Sequence, residues 1–288
     1  MRGAAESSAT PLPITALMAA MVCFQFGATL AKSLFPLVGA SGTAALRITI
    51  ASLILLAVWR PWHLRFTPAQ LRTVIVYGVA MGWMNYFFYS ALSYIPLGVT
   101  MALEFTGPLA VALIASRRPA DFLWILLATF GLFALLPLGL AGQSLSLRGV
   151  AYALGAGLCW ALYIIFGRRA GTAHGGQITA LGTVIGAVMI LPIGYAHSGA
   201  RLFSTSILPT ALGVAILSTA LPYSLEMYAM PRLPTRMLGV LMSLNPVLGA
   251  LAGLIFLGEM LTLAQWAAIA GIVAASAGSA ATRELAAG

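Results

Sequence analysis

Four ionisable residues stand inside long apolar runs of this sequence: Lys32, Arg47, Glu104 and Glu226. Charge in such surroundings is expensive, so each marks a chemical task. Glu104 is the most informative. It falls about seven residues into an expected helix, roughly 10 Å deep at 1.5 Å per residue. Pro108 follows four residues later. Proline carries no N–H, so the carbonyl of Glu104 loses its helical partner. A carboxylate and a freed carbonyl at one spot suit an ammonium group or a proton. A structural carboxylate locked to an arginine is the competing reading. Pro246 repeats the device further on, freeing the carbonyl of Met242 beside Ser243 and Asn245. Paired breaks in corresponding helices point to a central binding site; a pair of kinks that only shape the bundle is the alternative.

Arg47 follows Thr43 by one turn. Its fork of donors fits a substrate carboxylate and fits a structural glutamate equally well. Lys32 shares a face with Gln25 and Thr29, and either snorkels to the interface or charges an outer gate. Glu226 precedes Arg232 and Arg236, which suggests an interfacial ion pair, with an entrance gate as the second reading. Glu259 reads as a solvated helix-end carboxylate. Asn85 and Tyr89 share one helical face, and Trp160 and Tyr163 lie close together on another helix. Such groups line a cavity and cover a cationic ligand, or else fill core and interface belts.

Enzyme chemistry finds no foothold. His63, His174 and His197 fall in expected loops or at helix ends, without paired spacing. No glycine-rich phosphate loop precedes a Lys-Ser or Lys-Thr, so no ATPase or ATPase subunit is expected. Cys23 and Cys159 sit singly in apolar runs, so neither a disulfide, a metal nor a cofactor is expected.

The elements that must position these residues follow from composition. The chain has 288 residues, 61% hydrophobic and only 7% charged. A soluble domain carries roughly a quarter charged residues, so the bilayer is the solvent expected here. Apolar runs long enough to span fall at 14–35, 42–60, 71–92, 97–116, 121–139, 149–167, 177–196, 207–230, 235–257 and 263–282. The fold class is therefore all-α, a polytopic membrane protein of ten helices. With the N-terminus inside, eleven arginines fall on one side and only Arg148 and Arg201 on the other. That asymmetry puts both termini in the cytoplasm. It also explains the net charge of +9 without nucleic acid as a partner; membrane lipid is the partner expected.

Shifted by 138 residues, 91–113 lies over 229–251, with Pro96 over Pro234 and Pro108 over Pro246. Two halves result, 14–139 and 149–282. Five helices each means that they enter from opposite faces, as in inverted-repeat transporters. Gly78/Gly82, Gly182/Gly186, Gly249/Gly253 and the stripe Ala267–Gly271–Ala275–Ser279 let backbones approach closely. Packing within the chain is their first reading and a homodimer face the second.

The runs FGATLAKSLFPLVG (26–39), ALEFTGPLAVAL (102–113), ASRRPADF (115–122) and LSTALPYSLEMYAMPRLPTR (217–236) carry a resemblance. Over residues 12–282 the chain resembles bacterial threonine/homoserine exporters of the EamA branch of the drug/metabolite transporter superfamily. The resemblance implies ten helices in two inverted repeats, a bacterial inner-membrane location and efflux of small amino acids, which without an ATPase motif gradients or exchange would drive. A broader drug or purine exporter on the same fold is the alternative. A membrane-embedded enzyme is disfavoured because Glu226 and Glu259 fall on opposite sides, and a channel because no charged ring or filter motif is seen.

Overall fold

The computed structural model describes residues 11–114, 145–170, 175–233 and 235–284, with 123–124, 126–127 and 129–131 between them. Among these residues the secondary structure is helical, without a strand. This is the economical solution in lipid, where every backbone N–H and C=O must find its partner inside the segment.

The helices are α1 (Pro11–Lys32), α2 (Phe35–Trp59), α3 (Pro68–Ala91), α4 (Leu97–Ile114), α5 (Leu147–Ala170), α6 (Gly175–Ser198), α7 (Leu208–Ala215), α8 (Leu221–Ala229), α9 (Thr235–Met242), α10 (Asn245–Leu257) and α11 (Leu263–Glu284). A π turn at Ile216–Ala220 joins α7 to α8 in one span, and a break at 243–244 divides α9 from α10. Among the described residues six spans are long and apolar enough to cross a membrane by length and composition alone. The described helices form nine rods, which is consistent with ten helices. The fifth expected helix, 121–139, lies largely outside the described residues; its described residues are helical and pack on α11, with Gly131 against Ile272 and Gly278 against Trp124.

Several boundaries differ from expectation. Only Ser33 and Leu34 separate α1 from α2, because Pro36 sits in the first turn of α2, where its missing N–H costs nothing. The chain instead bends at Gly39, whose φ of 66° belongs to glycine. Past that bend the helix runs unbroken to Trp59, and Arg47 lies about two turns into it. Pro246 does not sit inside a continuous helix but in the first turn of α10. Pro108 does lie inside α4, so the two prolines do different work.

Helix ends are capped from the sequence nearby. Thr67 and Gln70 form a reciprocal box at the start of α3, and Thr262 and Gln265 repeat it at the start of α11. The glycine seams pack within the chain. Gly82 meets Gly186 where α3 crosses α6, and Gly107 meets Gly157 where α4 crosses α5. Gly98 meets Ala250 where α4 crosses α10, and Gly27 meets Ser218 where α1 crosses the π turn. In each case backbone approaches backbone, which replaces the hydrophobic drive that lipid cannot supply.

Candidate functional site

Arg47 stands eight residues past the bend at Gly39 and twelve before Trp59, the latter about 18 Å of helix. Its side chain is 1% exposed. A charge at that depth persists only where donors and faces around it replace water. One Nη donates to Asn85 Oδ1 on α3 and the other to the Ser218 carbonyl at 2.6 Å. The Tyr89 ring lies under the guanidinium at 5.0 Å and the Phe24 ring at 5.6 Å. Asn85 is held in turn by its own amide, which donates to the Met81 carbonyl at 2.8 Å.

Ser218 explains why a carbonyl is free to serve. Its helical partner would be the N–H of residue 222, and residue 222 is proline. The π turn there already shifts the local pattern, with the Leu221 N–H on the Ile216 carbonyl. An orphaned carbonyl in lipid needs a donor, and Arg47 supplies it. Gly27 lets α1 pack directly on Ser218. Neither Ser218 nor Gly27 was singled out by the sequence reading. The signal was present in Pro222, which stands four residues after Ser218 just as Pro108 stands four after Glu104.

Glu104 is 5% exposed and lies within electrostatic reach of Arg47. Among the described residues its carboxylate forms no ion pair. The carbonyl freed by Pro108 is packed against Gly157 of α5, so the backbone there is closed over by a helix crossing. The carboxylate, not the carbonyl, is left to act. In the arginine cluster two polar atoms are buried without partners, Arg47 Nε and Tyr89 Oη. Unsatisfied buried groups are rare and call for a ligand or water.

The structure thus brings Arg47, Asn85 and Tyr89 together, with Glu104 within electrostatic reach of the arginine. The other sequence candidates stand elsewhere. Trp160 packs edge-on against Phe105 at 5.6 Å. Tyr163 stacks on Tyr77 at 4.8 Å. Asn245 is buried at the start of α10, where its carbonyl accepts from Gln25 Nε2 at 3.3 Å. Lys32 neither snorkels freely nor stands alone. It pairs with Glu259 at 2.5 Å, and the same carboxylate accepts the Leu97 N–H at 2.7 Å, capping α4. Glu259 is therefore a joint between α1, α4 and the end of α10 rather than a solvated group. Glu226 does not pair with Arg232, which donates to the Tyr228 carbonyl at 2.6 Å and lies over the Tyr228 ring at 4.1 Å. The side chain of Arg236 lies outside the described residues. No group of three metal-ligating side chains occurs among the described residues.

A cavity of about 700 Å³ opens at the Arg201 end of the bundle, between α2, α3, α5 and α6. Ser41, Tyr86, Ser90, Ser93, Tyr152 and Arg201 are among its lining residues. Tyr86 and Ser90 directly follow Asn85 and Tyr89 along α3, so cavity wall and buried cluster share one helix.

Comparisons with known proteins bear on what such a site does. Residues 147–280 match the model of the EamA-like transporter family. The threonine/homoserine exporter RhtA of Escherichia coli is 54% identical over 97% of this chain and 95% of its own length. The chain belongs to the EamA-like transporter family. RhtA of Salmonella typhimurium matches over the same extent at 54% identity. An uncharacterized transporter of Bacillus subtilis, YwfM, is 26% identical over 78% of the chain. A crystal structure at 21% identity superposes with a TM-score of 0.60 over 97% of this chain and 98% of the other, which shows a shared fold. This EamA-like chain is thus a multi-pass membrane transporter, not an enzyme.

Proposed function

We propose that this chain exports small amino acids of the threonine and homoserine type from the cytoplasm across a bacterial inner membrane. Gradients or exchange drive it, and Glu104 and Arg47 receive the two ends of the zwitterion. Glu104 takes the ammonium group or a proton. Arg47 offers its unpartnered Nε and the outer edge of its fork to the carboxylate. The observation that carries this reading is the coincidence of an anion and a cation, both buried, with Arg47 Nε and Tyr89 Oη left unsatisfied between apolar walls. The printed name of the 54% identical relatives supports the substrate class.

Alternating access follows from the halves 14–139 and 149–282. Exchanging the halves turns α2–α6 into itself and α4–α10 into itself, and turns α3–α5 into the packing of α1 on α7 and α8. All of these pairs are in contact. That invariance supports an inverted repeat, with the two halves rocking about the central cluster. The arginine-rich ends of the helices would face the cytoplasm together with both termini, and the cavity at Arg201 would be the exit vestibule.

Threonine counterflow in proteoliposomes tests the assignment. Glu104→Gln should lower exchange by an order of magnitude or more while the protein keeps its size-exclusion profile. Glu104→Gln exchanging threonine at the wild-type rate would end the assignment.

A further inference from the structure

We propose that Glu226, with Tyr77, Tyr163 and Tyr223, forms a second binding site, one for a primary ammonium group, in the arginine-rich half of the bundle. It would be the place where the amine of the substrate docks before reaching Glu104. The inference rests on the export reading above and deepens it.

Glu226 projects from α8, inside a span of 25 residues. Among the described residues its carboxylate forms no ion pair. Arg232, the nearest basic residue in sequence whose side chain is described, is engaged with Tyr228. Glu226 is half-buried, so its carboxylate stands in surroundings that largely replace water. The groups within its electrostatic reach are Tyr77 of α3, Tyr163 of α5 and Tyr223 of its own helix. None of these neutralises it.

The three rings are fixed. Tyr77 and Tyr163 stack, and the Tyr77 hydroxyl lies 3.4 Å from Thr179 Oγ1. Tyr223 is buried and lies within electrostatic reach of Arg47 and Glu104 as well as Glu226. An anion beside ordered aromatic rings selects an organic cation: the carboxylate supplies charge and the ring faces supply cation–π contact. An inorganic cation would need several hard oxygen ligands at once, and only one carboxylate is present.

The same residues connect the two carboxylates. Tyr223 lies within electrostatic reach of Glu226, Arg47 and Glu104, and Asn85 accepts from Arg47. A cation leaving Glu226 therefore moves along the face of Tyr223 toward the central cluster. The carboxylate of the substrate meets Arg47 only at the end of that path. Glu226 would set affinity on the entry face, and Glu104 would serve both faces.

The test is threonine exchange in proteoliposomes of known orientation, read separately from each face, beside ethanolamine binding to the detergent-purified chain. With Glu226→Gln we expect the half-saturating threonine concentration to rise on the order of tenfold on the arginine-rich face, as for loss of one charged contact in a desolvated site. We expect little change on the other face, and weaker ethanolamine binding. Unchanged half-saturation on the arginine-rich face, or an equal change on both faces, would overturn the proposal. Should Glu226→Gln not fold, Tyr163→Leu keeps the carboxylate, removes one ring and is judged by the same two readings. Glu104→Gln run in parallel separates the two ideas. Wild-type exchange by that variant defeats the central assignment and leaves the face-specific effect of Glu226→Gln to be judged alone.

Discussion

A methyl group added at Gly27 should disturb Arg47 without touching it. A β-carbon on residue 27 would stand 2.6 Å from the backbone nitrogen of Ser218 and 2.8 Å from its Cα. Carbon atoms in contact rest about 3.5–4.0 Å apart, so α1 and the π turn must separate by about 0.7–1.2 Å. The atoms displaced belong to the residue whose carbonyl holds Arg47 at 2.6 Å. Taken along that bond, the displacement stretches it to about 3.3–3.8 Å, beyond a useful N–H···O distance. Overpacking of this kind costs about 1–3 kcal/mol, and a hydrogen bond to a charged group is worth about 1.5–3 kcal/mol. Gly27→Ala should therefore lose about 2.5–6 kcal/mol of stability together with most threonine exchange. Unfolding of the detergent-purified protein and counterflow in proteoliposomes measure the two losses. Gly213→Ala is the control on the same helix pair, because its β-carbon would meet only Leu30 Cδ2, at 3.4 Å. It should be neutral or slightly stabilising, since alanine favours helix. A Gly27→Ala protein with the stability and exchange of wild type would refute the claim that close approach at Ser218 holds the Arg47 site.

Pro222→Ala restores an N–H four residues after Ser218 and so offers its carbonyl a partner that competes with Arg47. Exchange should fall on the order of tenfold, the equivalent of part of one charge-assisted bond, while helicity by circular dichroism stays unchanged; a wild-type rate would count against the freed carbonyl as a functional element. Lys32→Met and Glu259→Gln, combined in a double-mutant cycle, should reveal a coupling of about 1 kcal/mol. The figure is modest because the two side chains are still 24% and 14% exposed. Additive effects in that cycle would mean that the pair does not join α1 to the end of α10.

Much of this arrangement could be read in the residues themselves, and the remainder depends on distances that no local pattern carries. Apolar runs of span length and the one-sided arginines announce an all-helical membrane protein, because lipid leaves the backbone no other economical form. Cost of burial alone was enough to nominate Arg47 and Glu104, and i+4 spacing was enough to put Asn85 and Tyr89 on one face. What it could not give was the partner of each charge. Lys32 and Glu259 are 227 residues apart and meet only because α1 and α10 converge. Glu226 has Arg232 within two turns, yet the helix ends and a ring of Tyr228 claims that arginine first. Pro246 and Pro108 look alike in a string of letters. One opens a helix and the other interrupts one, and the difference lies in the break at 243–244. The most telling omission is Ser218. A proline four residues on was visible, but a freed carbonyl becomes a site only when a charge from another helix reaches it. That charge arrives because Gly27 has no side chain to hold α1 away. The logic of the centre is therefore a chain of absences: no N–H at Pro222, no β-carbon at Gly27, and a buried arginine that both together make room for and satisfy.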